Sequence, residues 1–275
     1  MTKALENITS LTNSKVKLAM SLHQKKYRDK QKLFLLEGLR NAEMAQEVHA
    51  KIKMCFCTEK ILSNNRAEKL IEKLTCPMYL VPDNIYAKLS DTDSPQGLML
   101  IIEQDLLSLD ELQIKEHMFL LALDRLQDPG NIGTIIRTAD AMGVDGIICL
   151  NGTADIFSPK VVRSAMGSLF NLPIYTKINE TKLLEFAKQN QFKLYATALN
   201  EQAKASWNVD YQEKCIIVLG NEANGVSNTI LNHANEQIYI PMQGKAESLN
   251  VANACAMIIY EKVRSLRLDK INHLI

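Results

Sequence analysis

The chain has 275 residues, 47% hydrophobic and 23% charged, enough apolar mass for one large core or two ordinary ones. No apolar run approaches the roughly 20 residues that a membrane helix requires, and the N-terminus lacks the charged, apolar and small-residue succession of a secretory signal, so a cytoplasmic setting is expected. The net charge of +1 hides an asymmetry, because residues 1–32 hold eight Lys and Arg against Glu6 and Asp29 and leave the remainder slightly acidic.

Lys25, Lys26, Arg28 and Lys30 form the centre of that basic stretch. A polyanion touched at one end of the molecule would suit it, and a solvated helix surface is the competing reading. From residue 33 onward, short apolar runs alternate with helical patterns: strands at 33–36, 52–56, 78–81 and 97–102, helices at 39–49 and 66–74, and a short helix after 81. These make a small α/β domain spanning 1–103. The stretch "QDLLSLDELQIKE", 104–116, carries no clear strand signal and is read as a linker.

From 117 to 275 the alternation is more regular. Strands are expected at 118–123, 146–150, 173–176, 193–198, 215–219 and 237–240, and helices starting near 131, 159, 180, 225 and 249. Near-continuous apolar strands separated by amphipathic helices imply a mostly parallel sheet covered on both faces. The final helix opens with small residues, Val251, Ala252, Ala254, Cys255 and Ala256, which would let a neighbour approach closely.

Ligands of open α/β sheets bind at the carboxyl ends of the strands. Three unusual loops occur there: "DRLQDPGNIGTIIRTADAMG" from 124, "GNEANGVS" from 220 and "IPMQGKAESLNVANACAM" from 240. None is a G-x-G-x-x-G turn, a P-loop or a G-x-S-x-G elbow. The six cysteines are scattered without a C-x-x-C pair and the five histidines are isolated, so no metal site is expected.

Together the three loops resemble the SpoU (TrmH) family of RNA ribose methyltransferases in the SPOUT superfamily. The resemblance is carried by Asn131 with Arg137, by "LGNEANGVS" with Glu222, and by "IPMQGKAESLNVANACA" with Ser248 and Asn250. The opening "ITSLTNSKVKLAMSLHQKKYRDKQKLFLLEG" is similar to the start of the RNA-binding domain many members carry. The resemblance implies a C-terminal domain whose last segment threads a trefoil knot, a topology that general rules would have rejected. It also implies S-adenosylmethionine as methyl donor, a homodimer with shared active sites, and an RNA substrate. Ribosomal RNA is preferred to transfer RNA, and a non-catalytic RNA binder of the same fold is the alternative from another class.

The resemblance assigns catalysis to Asn131, Arg137, Glu222, Ser248 and Asn250, and the adenosine pocket to Thr197, Gly220, Ile240, Met242 and Leu249. Each has a bland competitor. "GNEANG" is also plain turn chemistry, and Ile240 and Leu249 alone would pass for core. Gly220 is read as the place where a side chain would obstruct the cofactor. Asn131 after Pro129-Gly130 would serve as a helix N-cap, and only in a loop can it share a face with Arg137. Ser248 is read as the N-cap of the last helix, and Asn250 as an asparagine two residues inside it with no capping role. Arg137 stays protonated at any ordinary pH, so a grip on the phosphate beside the reacting ribose suits it better than proton abstraction.

Overall fold

Packing in the computed structural model, which describes residues 5–272, divides the chain into two units. One comprises the residues up to Asp105 together with Asp155–Asn171; the other holds Leu106–Ala154 and the residues from Leu172 onward.

The first unit contains β1 (Glu6–Asn7), α1 (Ser14–Ser21), α2 (Lys25–Gln31), β2 (Leu33–Glu37), α3 (Leu39–Glu47), β3 (Ile52–Cys57), α4 (Glu59–Leu62), α5 (Asn65–Lys73), β4 (Met78–Leu80), α6 (Asp83–Leu89) and β5 (Leu98–Glu103). Its sheet has the order β1-β4-β3-β5-β2, with β2 and β3 antiparallel to β5 and both β1 and β3 parallel to β4. The helices form for local reasons. α5 is capped by the Asn64 side chain and buries Ala67, Leu70 and Ile71, a stripe at helical spacing. The strands and helices expected between 33 and 102 are present within a few residues, and β1, α1 and α2 add to them from the basic stretch.

The second unit is a seven-stranded parallel sheet. Its elements are β6 (Met118–Asp124), α7 (Pro129–Ala141), β7 (Gly146–Leu150), then, after α8 (Pro159–Ala165), β8 (Ile174–Ile178), α9 (Glu180–Gln189), β9 (Lys193–Thr197), β10 (Lys204–Ala205), β11 (Lys214–Gly220), α10 (Asn228–His233), β12 (Glu236–Tyr239) and α11 (Val251–Asn272). The strand order is β10-β12-β9-β11-β6-β7-β8. All seven residues of β6 are buried, as a central strand covered on both faces requires. β11 lies between β6 and β9 in register, pairing Gly220 with Asp124, so the ends of the two strands finish side by side. Leu120, Ala122, Ile216 and Val218 pack with Phe186 and Phe192, whose rings stack at 5.5 Å.

Two stretches join units other than those their sequence suggested. From Leu106 the expected linker is built into the second unit: Leu109 is buried and Leu107 forms a bridge to Tyr175. Asp155–Asn171, with α8, belongs to the first unit although it lies between β7 and β8. Aromatic packing explains that capture, since Phe157 and Phe170 meet Phe34 with ring centroids 5.0 and 6.4 Å apart. Gly167, at φ +93°, lies so close under Met44 that an added Cβ would come within 2.1 Å of the thioether sulfur.

Candidate active site

The site grows from the carboxyl ends of β6 and β11. Asp128 caps α7 through its side chain, Pro129 occupies the first helical turn, and the Asn131 N–H donates to Asp128 Oδ1 at 2.8 Å. This corrects the expected cap: Asn131 is helical, and Asp128 does the capping. Arg137, six residues on, is therefore about 120° around the axis and about 9 Å along it from Asn131. Its side chain is on the exposed side of α7.

After Gly220 the chain turns tightly. Asn221 and Gly225 exchange backbone hydrogen bonds of 3.1 and 2.9 Å, with Gly225 at φ +65°. The Asn221 Oδ1 accepts from the N–H groups of Ala223 and Asn224, both at 3.0 Å, so the side chain fills the inside of its own loop. The role expected of Gly220 changes accordingly. A Cβ there would lie 2.1 Å from the Val226 nitrogen and 2.2 Å from the Gly225 carbonyl carbon, so the loop's own returning backbone forbids a side chain.

The third loop enters α11 through Asn250, whose Oδ1 accepts from the N–H of Ala252 at 2.9 Å and of Asn253 at 3.3 Å. Asn250 is thus the N-cap, and Ser248 stands outside the helix, which reverses the expectation for both. The helix begins at Val251 because its first N–H groups find their acceptor on position 250.

Capping has a consequence for the site. With Oδ1 committed to the helix, the Asn250 Nδ2 points away and donates to Asn131 Oδ1 at 2.9 Å. Asn131 must then present its own Nδ2 elsewhere, and it donates to Glu222 Oε1 at 3.2 Å. Glu222 also accepts from the N–H groups of Gln127 and Asp128, at 3.2 and 3.4 Å. Three expected residues from three loops are one directional chain ending on a carboxylate. Partial burial works to raise the Glu222 pKa, but its own backbone N–H, the Asn131 amide and the N–H groups of residues 127 and 128 outweigh burial and hold the carboxyl below the ordinary range.

A recess of about 770 Å³ opens beside the chain, between the ends of β9, β11 and β12 and the start of α11. All five residues expected at an adenosine pocket line it: Thr197, Gly220, Ile240, Met242 and Leu249. Glu222, Ser248 and Asn250 are on its wall as well. The Thr197 hydroxyl is committed to the Val218 carbonyl at 3.2 Å. Apolar walls with a few convergent polar groups are the usual make-up of a small-molecule site.

The sequence profile of the SpoU rRNA methylase family matches residues 118–260, and that of an MRM3-like substrate-binding domain matches 13–100. The chain belongs to the SpoU rRNA methylase family. A related protein is the 23S rRNA (guanosine(2553)-2′-O)-methyltransferase RlmP of Bacillus subtilis, 33% identical over 256 residues that cover 93% of this chain and 98% of the relative. Among solved structures, an AdoMet-bound rRNA methyltransferase from Sinorhizobium meliloti is 34% identical with a TM-score of 0.85, covering 95% of this chain and 98% of its own. The SpoU methyltransferase AviRb from Streptomyces viridochromogenes, in complex with AdoMet, is 27% identical with a TM-score of 0.86 and coverages of 93% and 98%.

In this SpoU family member the basic stretch divides. Lys25, Lys26 and Lys30 are exposed on α2. Arg28 is 4% exposed, pairs with Asp155 at 2.7 Å and donates to the carbonyls of Leu22 and His23 at 2.6 and 2.8 Å. Arg28 therefore leaves the set of RNA-facing residues, because its guanidinium is consumed inside the first unit. Sequence reasoning also passed over Asp128 and Asn221. An Asp directly before a Pro at a strand-to-helix turn is a recognisable N-cap signal and could have identified the first. The second belongs to the "GNEANG" stretch read as turn chemistry, but nothing local marks its bond to the Arg125 carbonyl.

Proposed function

We propose that this SpoU family member transfers a methyl group from S-adenosylmethionine to a ribose 2′-hydroxyl of ribosomal RNA. The observation that carries the reading is the Glu222, Asn131 and Asn250 chain, whose two ends, Glu222 and Asn250, stand on the wall of the recess lined by Thr197, Ile240, Met242 and Leu249. The recess fits the cofactor by chemistry, with apolar side chains for an adenine ring and exposed polar groups for a ribose and an amino acid end. S-adenosylmethionine, when bound, supplies a methyl group on a sulfonium that an aligned oxygen can take. The chain's own work is then to hold the ribose in line. Asn131 and Asn250 are read as the groups that orient it, Glu222 as their anchor, Ser248 as a hydroxyl on the same wall, and Arg137 as the bidentate grip on a flanking phosphate. Glu222, whose pKa is held below the ordinary range and which is therefore a weak base, suits anchoring better than proton abstraction.

The first unit is read as the RNA-binding part, with Lys25, Lys26 and Lys30 on the phosphate backbone. Ribosomal RNA is preferred because RlmP is named for methylating 23S rRNA, and a cytoplasmic setting goes with that substrate. No helix among the described residues is long and apolar enough to cross a membrane. A homodimer is part of the reading, supported by Met257 and Tyr260, 50% and 60% exposed on α11. A threaded C-terminal segment is part of the same reading.

The test combines calorimetry with S-adenosylmethionine and transfer of labelled methyl to ribosomal RNA and to transfer RNA. Binding together with incorporation into ribosomal RNA is expected. Incorporation into transfer RNA alone would overturn the substrate, and cofactor binding without transfer to any RNA would return the chain to a non-catalytic role.

A further inference from the structure

Beside the three loops lies a polar cluster that the methyl-transfer roles leave unused. Asp124, the last residue of β6, is completely buried, and its carboxylate receives Arg125 Nε at 2.8 Å and Nη2 at 3.0 Å. Adjacent residues on a strand point to opposite faces, so a residue cannot ordinarily clasp its neighbour. This pair closes because Arg125 has left the strand conformation, at φ +59°. A left-handed backbone is unfavourable for a residue with a long side chain and persists only where its surroundings over-determine it.

Those surroundings are visible. The Arg125 N–H donates to Thr153 Oγ1 at 3.1 Å, and the Thr153 hydroxyl donates to the Leu123 carbonyl at 2.9 Å. Gly152 leaves room for the arginine stem, since a Cβ on it would stand 3.0 Å from Arg125 Cγ. Asp124 Oδ2 also accepts from the Ser227 N–H at 2.8 Å, just beyond the 221–225 loop. In this twisted state the Arg125 carbonyl faces the loop and accepts from Asn221 Nδ2 at 2.8 Å and from Gln127 Nε2 at 3.1 Å. The Nη2 reaches the Gly225 carbonyl at 3.5 Å.

We infer that Arg125 is a positioning residue for methyl transfer: clamped by buried Asp124, it holds Asn221 and Gly225 and thereby sets Glu222 against Asn131. The path is continuous. The Arg125 carbonyl fixes the Asn221 amide, Asn221 Oδ1 fixes the N–H groups of Ala223 and Asn224, and Glu222 is the residue held between Asn221 and that pair. Arg125 touches neither Glu222 nor Asn131 in this arrangement, so it acts through the loop. The inference rests on the methyltransferase reading for its kinetic consequence, but its structural consequence stands apart.

Arg125→Ala and Arg125→Lys separate the guanidinium from the mere presence of a long cation, since lysine cannot hold both carboxylate oxygens in a fork. Hydrogen exchange across residues 221–225 is measured first, in the full chain. Exchange at least about tenfold faster than wild type is expected in both variants, with a normal melting transition in at least Arg125→Lys. Methyl transfer should then fall about tenfold or more in kcat, with KM for RNA altered less than about twofold. Combined with Glu222→Gln, either variant should add little to the single loss, because both act on one group. Unchanged exchange in the loop, or losses that multiply in the double variant, would overturn the inference. A wild-type protein that methylates no RNA would defeat the functional reading instead, and the exchange measurement would still decide this one.

Discussion

Asn250 donates its side-chain amide to the Asn131 side-chain oxygen at 2.9 Å, across 119 positions of sequence. The same asparagine caps α11 with its other amide atom, so one residue starts a helix and orients a candidate catalytic group.

Substituting Asn250 can separate those two jobs. Asn250→Asp keeps an oxygen for the cap but removes the donor and sets a carboxylate against Asn131 Oδ1. Turnover should fall on the order of a hundredfold, as expected for a misplaced reacting group, with little change in melting temperature. Asn250→Ala should lose turnover and also about 1 kcal/mol of stability with the cap. Kinetics and thermal melting on the two variants check this, and equal activity of wild type and Asn250→Asp would refute the role.

Arg137→Ala should reduce methyl transfer to below about 1% while cofactor affinity and melting are retained, because the side chain is on the exposed side of α7 and is not one of the residues lining the recess. Arg137→Lys should not restore activity if the arginine takes phosphate in a two-pronged grip. Calorimetry beside a transfer assay distinguishes this from damage to the cofactor site.

Gly220→Val should act on the fold before it acts on the cofactor. Its Cβ would collide with the Gly225 and Val226 backbone, and even Gly220→Ala would do so. A loss of about 3 kcal/mol or more is expected from so rigid an obstruction, measured by denaturant unfolding. A fully stable Gly220→Ala with weakened cofactor binding would restore the simpler idea of a side chain blocking the ligand.

Arg28 and its neighbouring lysines should part company. Arg28→Gln leaves Asp155 largely buried without its partner and should cost about 3 kcal/mol or more of stability. Joint replacement of Lys25, Lys26 and Lys30 by Gln should leave melting unchanged and flatten the dependence of log K on log salt by roughly 0.7 to 0.9 for each phosphate no longer neutralised. Filter binding over a salt series reads the second, and an unaltered slope would make those lysines a solvated surface.

Glu222 makes a prediction in pH. Its folded-state pKa lies below the ordinary carboxylate value, so the stability it contributes is present above that value and disappears as the pH falls through the folded pKa. Wild type should lose loop order and stability on the acid side of the carboxylate range, and Glu222→Gln should lack that part of the acid-side slope. Identical acid titrations of the two proteins, followed by unfolding, would contradict it.

Local pattern determined much of this molecule. β6 and β11 could be read from "MFLLAL" and "CIIVL" because a strand buried on both faces needs an unbroken apolar run, and helices between such strands dictate a parallel sheet. It followed that the loops after Asp124, Gly220 and Tyr239 were the places to look for the site. The residues of those loops carried the family resemblance.

What tertiary structure alone decided is how individual polar atoms are committed. Arg28 reads like Lys25 or Lys30 until Asp155, 127 positions away, is brought to it by aromatic packing around Phe34. Ser248 reads as the cap and Asn250 as an interior residue, and the assignment reverses because α11 begins at Val251 with Ala252 and Cys255 buried. Gly220 announces a close approach but not of what, since Val226 returns to it only when the Asn221 turn has formed. Hydrogen-bond partners and steric neighbours are set by distances across the fold, and residues adjacent in sequence carry no record of them.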